Sequence, residues 1–313
     1  MPVTPGGTKS SLLLPSSANR PRSDRLVFSA FGVPIHIRTN DPQIIPRLIE
    51  HLPPGSQATS VAPRARYTLH ISDATCLPKN TGHRKHAAER RTSAPSQNTH
   101  DTHELRLGRK TLIRASRLTE VLQVLESDLR LQVAGMSEEK LFVHAGVVGW
   151  KGRAILVPGV SGAGKTMLVA ALVRAGASYY SDEYAVLDQD GLVHPYATPL
   201  RIRNGAKTTR TQRQPEDLGG IRGREPLRVG LVVVSKYSHG AAWKPRVLSP
   251  GRAILTLIDN TVSVRRQPQL TLSTLRLVVS DALVVESFRG ETEGLPQLLF
   301  RELENHKQRV AQL

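Results

Sequence analysis

The sequence has one cysteine in 313 residues, Cys76, so no internal disulfide can form. Cys76 stands beside Leu77 and Pro78 at the edge of a polar stretch, a setting for an incidental thiol rather than a nucleophile. No apolar run approaches the roughly 20 residues of a spanning helix. Leu12, Leu13 and Leu14 are too few for the apolar centre of a signal peptide. A cytoplasmic protein with no membrane span is the default expectation. Aromatic residues make up 4% of the chain, and no basic stripe interleaved with aromatics is present. That argues against a surface that stacks single-stranded bases. Acid is also scarce: 26 Asp and Glu face 43 Lys and Arg, a formal net charge of +17. Such a charge favours acidic partners such as nucleotides or acidic peptides. Much of it falls in polar segments, so nucleic acid is not the favoured partner.

Against these absences one stretch stands out. Ala154, Ile155, Leu156 and Val157 read as a buried strand that runs into Gly159, Val160, Ser161, Gly162, Ala163, Gly164, Lys165 and Thr166. This is a full match to G-x-x-x-x-G-K-[ST], and an apolar helical pattern follows it. The glycines let the backbone turn so that successive N–H groups face phosphate oxygens. The helix beginning near Gly164 adds its positive end. Lys165 is placed to reach the β- and γ-phosphates of a nucleotide and Thr166 to ligate Mg²⁺. The helix is expected to bury Met167, Leu168, Ala171 and Leu172, with Arg174 in its last turn and Gly176 as its stop.

The rest of the chain divides around this stretch. Residues 1–24 are rich in Pro, Gly, Ser and Thr and read as a disordered tail. Residues 25–135 alternate strand and helix patterns, as a small α+β N-terminal domain. Strands are expected around Gly32, with Pro34 marking an edge strand or a first residue. A helix over 41–52, a strand over 66–71, a hairpin turning at Gly108 and an amphipathic helix over 118–134 follow. Within this part, residues 78–103 are polar and hold His83, His86, His100 and His103. No Cys or spaced carboxylate joins them at ligand-like intervals, so a solvated, disordered insertion is expected rather than a metal site. Residues 136–313 form the phosphate-binding domain, with a polar, basic loop expected near 204–226. Ser249 and Pro250 predict a helix start. An assembly of identical chains is left open.

A phosphate-binding loop needs an acid to hold metal or activate a nucleophile. The best candidate strand for that acid, Leu231 to Val234, leads instead into Ser235 and Lys236. The alternative is the pair Asp182 and Glu183, 17 residues beyond Lys165. Neighbouring acids on a strand point to opposite faces, so one can activate a hydroxyl while the other serves the metal. An upstream strand, Leu141 to Trp150, carries one histidine, His144.

The run VHAGVV…GRAILVPGVSGAGKT…LVRAGASYYSDEYAVL resembles the C-terminal catalytic domain of HPr kinase/phosphorylase and its relatives, over about residues 140–203. The layout is most similar to HPr-kinase-like proteins of bacterial peptide-modification clusters, including kinases that phosphorylate a serine of a lasso-peptide precursor. The resemblance implies an α/β fold, with a P-loop kinase core of the HPr kinase/PEP carboxykinase type, preceded here by a small α+β domain. It implies an ATP- and Mg²⁺-dependent kinase acting on a Ser or Thr hydroxyl of a peptide or protein. In its terms Asp182 is the general base, Glu183 and Thr166 serve the metal, and His144 lies near the transferred phosphoryl group beside Lys165. One departure is plain. Where the regulatory enzymes carry an E-I-R-G-x-G type signature, this chain has Pro199 to Ala206 without the Glu, which weakens any expectation of phosphorolysis. The rivals are a small-molecule kinase or NTPase on the same core, and a catalytically idle nucleotide-binding regulator.

Overall fold

The computed structural model describes residues 24–72, 102–159, 164–203 and 210–310. The expected tail up to residue 23, the polar insertion up to residue 101 and loop residues 204–209 lie outside these ranges. So do Val160, Ser161, Gly162 and Ala163. The chain forms two compact units, divided between Gln132 and Val133. Both mix helix and sheet. Among the described residues no helix is long and apolar enough to cross a membrane.

The first unit is built on a six-stranded sheet. Its strands are β1 (Arg25–Ala30), β2 (Val33–Thr39), β3 (Gln57–Ala58), β4 (Ala65–His70), β5 (His103–Leu107) and β6 (Lys110–Ala115), in the order β3-β1-β2-β4-β5-β6. Its helices are α1 (Ile45–Glu50) and α2 (Leu118–Met136). The hairpin between β5 and β6 turns at Gly108, with φ +56°, as the sequence predicts. Pro34 is not on an edge strand, because β2 lies between β1 and β4. It sits at the start of β2, and pairing to β4 begins only at Ile35, so its missing N–H leaves no gap in that ladder. Leu122, Leu125 and Leu129 of α2 are fully buried, as are Ile35, Ile37 and Leu69 of the sheet. The Tyr67 hydroxyl donates to Asp128 of α2 at 2.6 Å, and Glu126 joins His51 and Arg130.

The second unit holds an eight-stranded sheet. Its strands are β7 (Leu141–Trp150), β8 (Arg153–Pro158), β9 (Ser178–Ser181), β10 (Tyr184–Leu187), β11 (Leu192–His194), β14 (Leu227–Tyr237), β15 (Arg246–Val247) and β16 (Leu283–Arg289). A separate pair, β12 (Leu200–Arg203) and β13 (Arg210–Arg213), also forms; β13 and a 3-10 turn over residues 215–218 lie within the loop expected near 204–226. The helices are α3 (Lys165–Arg174), α4 (Pro250–Ile258), α5 (Pro268–Asp281) and α6 (Leu295–Val310). Strand β14 runs parallel to β8 and β16, so all three end on one edge.

The apolar strands are continuous runs because both faces of this sheet are covered. Ile155, Val157, Leu231 and Val233 pack with α3 and α6 on one side. Ala154, Leu156, Val229 and Val232 pack with α4 and α5 on the other. A bulge between Val229 and Leu231 lets β14 change phase while keeping apolar residues on both faces. Pro250 starts α4 as expected, with Ser249 at the cap position, although the Ser249 side chain makes no capping bond.

The buried face of α3 differs from the sequence expectation. Leu168, Val169, Ala170, Leu172 and Val173 are buried, while Met167 is 42% exposed. The helix is covered on more than one side, so its apolar stripe is broader than one pattern of threes and fours indicates. Val169 rests on β7 at Gly146, where a Cβ would lie 2.4 Å from the Val169 side chain. Gly146→Val is therefore expected to destabilise the protein by about 1–3 kcal/mol through overpacking. Urea denaturation checks this, and Val169→Ala in the same chain should recover part of the loss.

Candidate functional site

The glycine-rich loop leaves β8 and enters α3. Its two ends are glycines in conformations that L side chains rarely adopt, with φ +151° at Gly159 and +83° at Gly164. Gly164 is the N-cap of α3, no side chain caps the helix, and no acid lies in its first turn. The first N–H groups of α3 are thus not taken by a cap, the arrangement that suits an anion. Of the eight expected loop residues, Gly159, Gly164, Lys165 and Thr166 are described. Val160, Ser161, Gly162 and Ala163 lie outside the described residues.

Lys165 and Thr166 turn towards different partners. The Lys165 ammonium donates to the Gly159 carbonyl at 2.5 Å, across the mouth of the loop. The Thr166 hydroxyl donates to Asp182 Oδ2 at 2.8 Å. Asp182 and Glu183 form the bend between β9 and β10. This corrects the sequence expectation that they alternate along a strand. A strand would send them to opposite faces, whereas a bend leaves both charges within reach of Lys165. The bend is held from below, since Ser181 Oγ accepts from the N–H groups of Glu183 and Tyr184.

His144 lies on β7, paired with Tyr184 of β10. Its ring is 4.7 Å, centroid to centroid, from that of Tyr184. Burial and the Lys165 charge both push its pKa below the usual imidazole value, so it is neutral at pH 7. The structure thus brings His144, Lys165, Thr166, Asp182 and Glu183 together. Burial also lowers the Lys165 pKa, against the raising effect of the two acids.

Asp182 is the most perturbed of these groups. Burial pushes its carboxyl up to about 6, and Glu183 pushes the same way. The Thr166 hydroxyl, the Lys165 charge and the backbone of Arg201 pull it down. Its Oδ1 is buried and has no hydrogen-bond partner. A carboxylate oxygen without a partner beside a helix start that no side chain caps is a group prepared to accept a proton or a ligand.

One residue of this region is missed by the sequence reasoning. Arg289, the last residue of β16, is 2% exposed and donates from Nη2 to the Gly164 carbonyl at 2.7 Å. The sequence signal for it is positional: it follows an apolar parallel strand, at the strand end where α/β sheets bind ligands.

The metal that the motif implies can be tested against these residues. Among the described residues no three His, Cys, Asp or Glu side chains cluster as a ready-made metal cage. Thr166 and Asp182 do present hydroxyl and carboxylate oxygens side by side, one of them without a partner. Hard oxygen donors in small number, completed by substrate phosphates, are what Mg²⁺ takes. The residues fit that ion and would not suit a softer one.

No protein-family model matches the chain, and no curated protein matches it either. Among solved structures, the HPr(Ser) kinase/phosphatase from Coxiella burnetii aligns with a TM-score of 0.31 and 15% identity, covering 54% of this chain and 92% of its own. At that score the likeness carries no argument about activity.

The Asp182 carboxyl should titrate near pH 6 in the ligand-free protein, followed by ¹³C NMR of labelled aspartate. Thr166→Val removes a hydrogen bond to the charged form, so the midpoint should move up. A midpoint near 4 in both proteins would contradict the geometry.

Proposed function

We propose that this protein is an ATP-dependent, Mg²⁺-assisted kinase that phosphorylates a Ser or Thr hydroxyl of a peptide or protein. The observation that carries the proposal is Asp182: a carboxylate with a raised pKa and a buried, unpartnered Oδ1, tied through Thr166 to the first turn of the loop helix. In this reading the loop amides and Lys165 hold the phosphate chain. The Lys165 ammonium leaves the Gly159 carbonyl for the β- and γ-phosphates. Asp182 accepts the hydroxyl proton as the hydroxyl oxygen bonds to the γ-phosphorus and the bond to the β–γ bridging oxygen breaks, releasing ADP. Phosphoryl transfer asks the protein mainly for position and charge, and those are what Lys165 and the helix end offer. A base with a pKa near 6 is mostly ionised at pH 7 and still accepts a proton readily. Thr166 and Glu183 would hold Mg²⁺, which neutralises charge on the transferring phosphoryl group when bound. Neutral His144 lies on the Lys165 side and would orient the phosphoryl oxygens. The net charge of +17 favours an acidic peptide as acceptor.

A nucleotide-binding regulator without turnover is the second reading. The favouring observation is that β14, the strand beside the loop strand, carries Ser235 and Lys236 near its end rather than an acid.

The experiment is transfer of labelled γ-phosphate to a Ser/Thr peptide library with Mg²⁺. Transfer is expected, with an acid limb of the pH–rate profile near 6, because Asp182 must be ionised to act. Asp182→Asn should lower the rate by about 10²–10⁴-fold while leaving nucleotide bound. Undiminished transfer by Asp182→Asn would overturn the mechanism. Binding of ATP without transfer to any hydroxyl would favour the regulator, and preference for a small-molecule acceptor would favour a metabolite kinase.

A further inference from the structure

The Arg289 guanidinium is a buried cation that the kinase reading leaves without work. Its Nη2 holds the Gly164 carbonyl at 2.7 Å, and its Nε reaches the Ser235 hydroxyl at 3.3 Å. The guanidinium carbon lies 5.8 Å from the centre of the Tyr237 ring. Among the described residues no carboxylate pairs with it, and burial lowers its pKa from the usual guanidinium value. A buried charge is costly unless it is compensated, and two neutral acceptors and a ring face compensate it in part. The close fit at Gly164 shows that the contact is built in, since a Cβ there would lie 2.4 Å from Arg289 Nη2. Lys165 holds the carbonyl of Gly159 in the same way. The two ends of the loop are thus each fastened by a cation to a glycine carbonyl.

We propose that Arg289 is a positioning residue of the phosphate site: by holding the Gly164 carbonyl it aims the first amides of α3 at the phosphate chain, and its unpaired charge is compensated when that anion binds. This rests on the phosphate-binding reading of the loop. The geometry supports it in a second way. The β8, β14 and β16 strands are parallel, and the loop, Ser235 and Arg289 follow one another along their common C-terminal edge. The guanidinium fork is what the site uses, so lysine can replace the charge but not both hydrogen bonds.

The test is binding of inorganic pyrophosphate and of ADP, each with Mg²⁺, to the full chain by titration calorimetry, with circular dichroism to verify folding. The wild type should bind both. Arg289→Gln should weaken both about tenfold or more, and Arg289→Lys should recover part of the loss. A residue that only supports the fold would lower the melting temperature yet leave pyrophosphate affinity unchanged in the folded variant. That outcome overturns the proposal. If Arg289→Gln does not fold, Arg289→Lys decides: weakened pyrophosphate binding supports the role, and wild-type affinity refutes it. Failure of the wild type to bind either ligand would instead refute the phosphate reading itself.

Discussion

The site depends on strand β7 and on how closely α3 approaches it. β7 pairs with β8 on one side and with both β9 and β10 on the other. The strand that delivers the glycine-rich loop and the strands that flank the Asp182–Glu183 bend are therefore neighbours of one strand, and that strand carries His144. Gly146 lets Val169 of α3 lie against it. With a larger residue there, the first turn of α3 would ride away from the bend, and the Thr166 hydroxyl would no longer reach Asp182. Register and one missing side chain hold the constellation together.

Electrostatics then act on this frame. The charges at its centre are few and partly dehydrated. Lys165 donates to the Gly159 carbonyl and also feels the charges of Asp182 and Glu183, while Arg289 donates to the Gly164 carbonyl. Asp182 lies close to Lys165, yet burial outweighs that attraction and its pKa rises. Arg289 has no carboxylate partner among the described residues and Asp182 Oδ1 has no hydrogen-bond partner, so these two buried groups are incompletely compensated. In the proposed function a phosphate chain and a divalent ion would compensate both.

Much of this was legible from residues near one another in sequence. The strand into the loop, the start of α3, its stop at Gly176 and the acids after it are local patterns, and each has its counterpart in the structure. Other features were not local. The buried side of α3 was misjudged because periodicity does not tell how many elements cover a helix, and Met167 is exposed while Val169 and Val173 are not. Asp182 and Glu183 lie on a bend rather than a strand because Ser181 caps the following amides, a detail of turn chemistry. The strand expected up to Phe288 stops one residue short of Arg289. Its contact with Gly164 spans 125 positions, which no local pattern encodes. Pro34 shows the same limit, since only the sheet order tells that β2 is interior.

The most direct test of the central claim is a crystal structure of the full chain with Mg²⁺ and a non-hydrolysable ATP analogue. The geometry requires the phosphate chain in the loop, the Lys165 ammonium moved from the Gly159 carbonyl onto phosphate oxygens, and Asp182 Oδ1 facing the open side of the γ-phosphorus. Phosphates bound away from the loop, or Asp182 turned from the γ-phosphate with its carboxylate still closed on Thr166 alone, would contradict it.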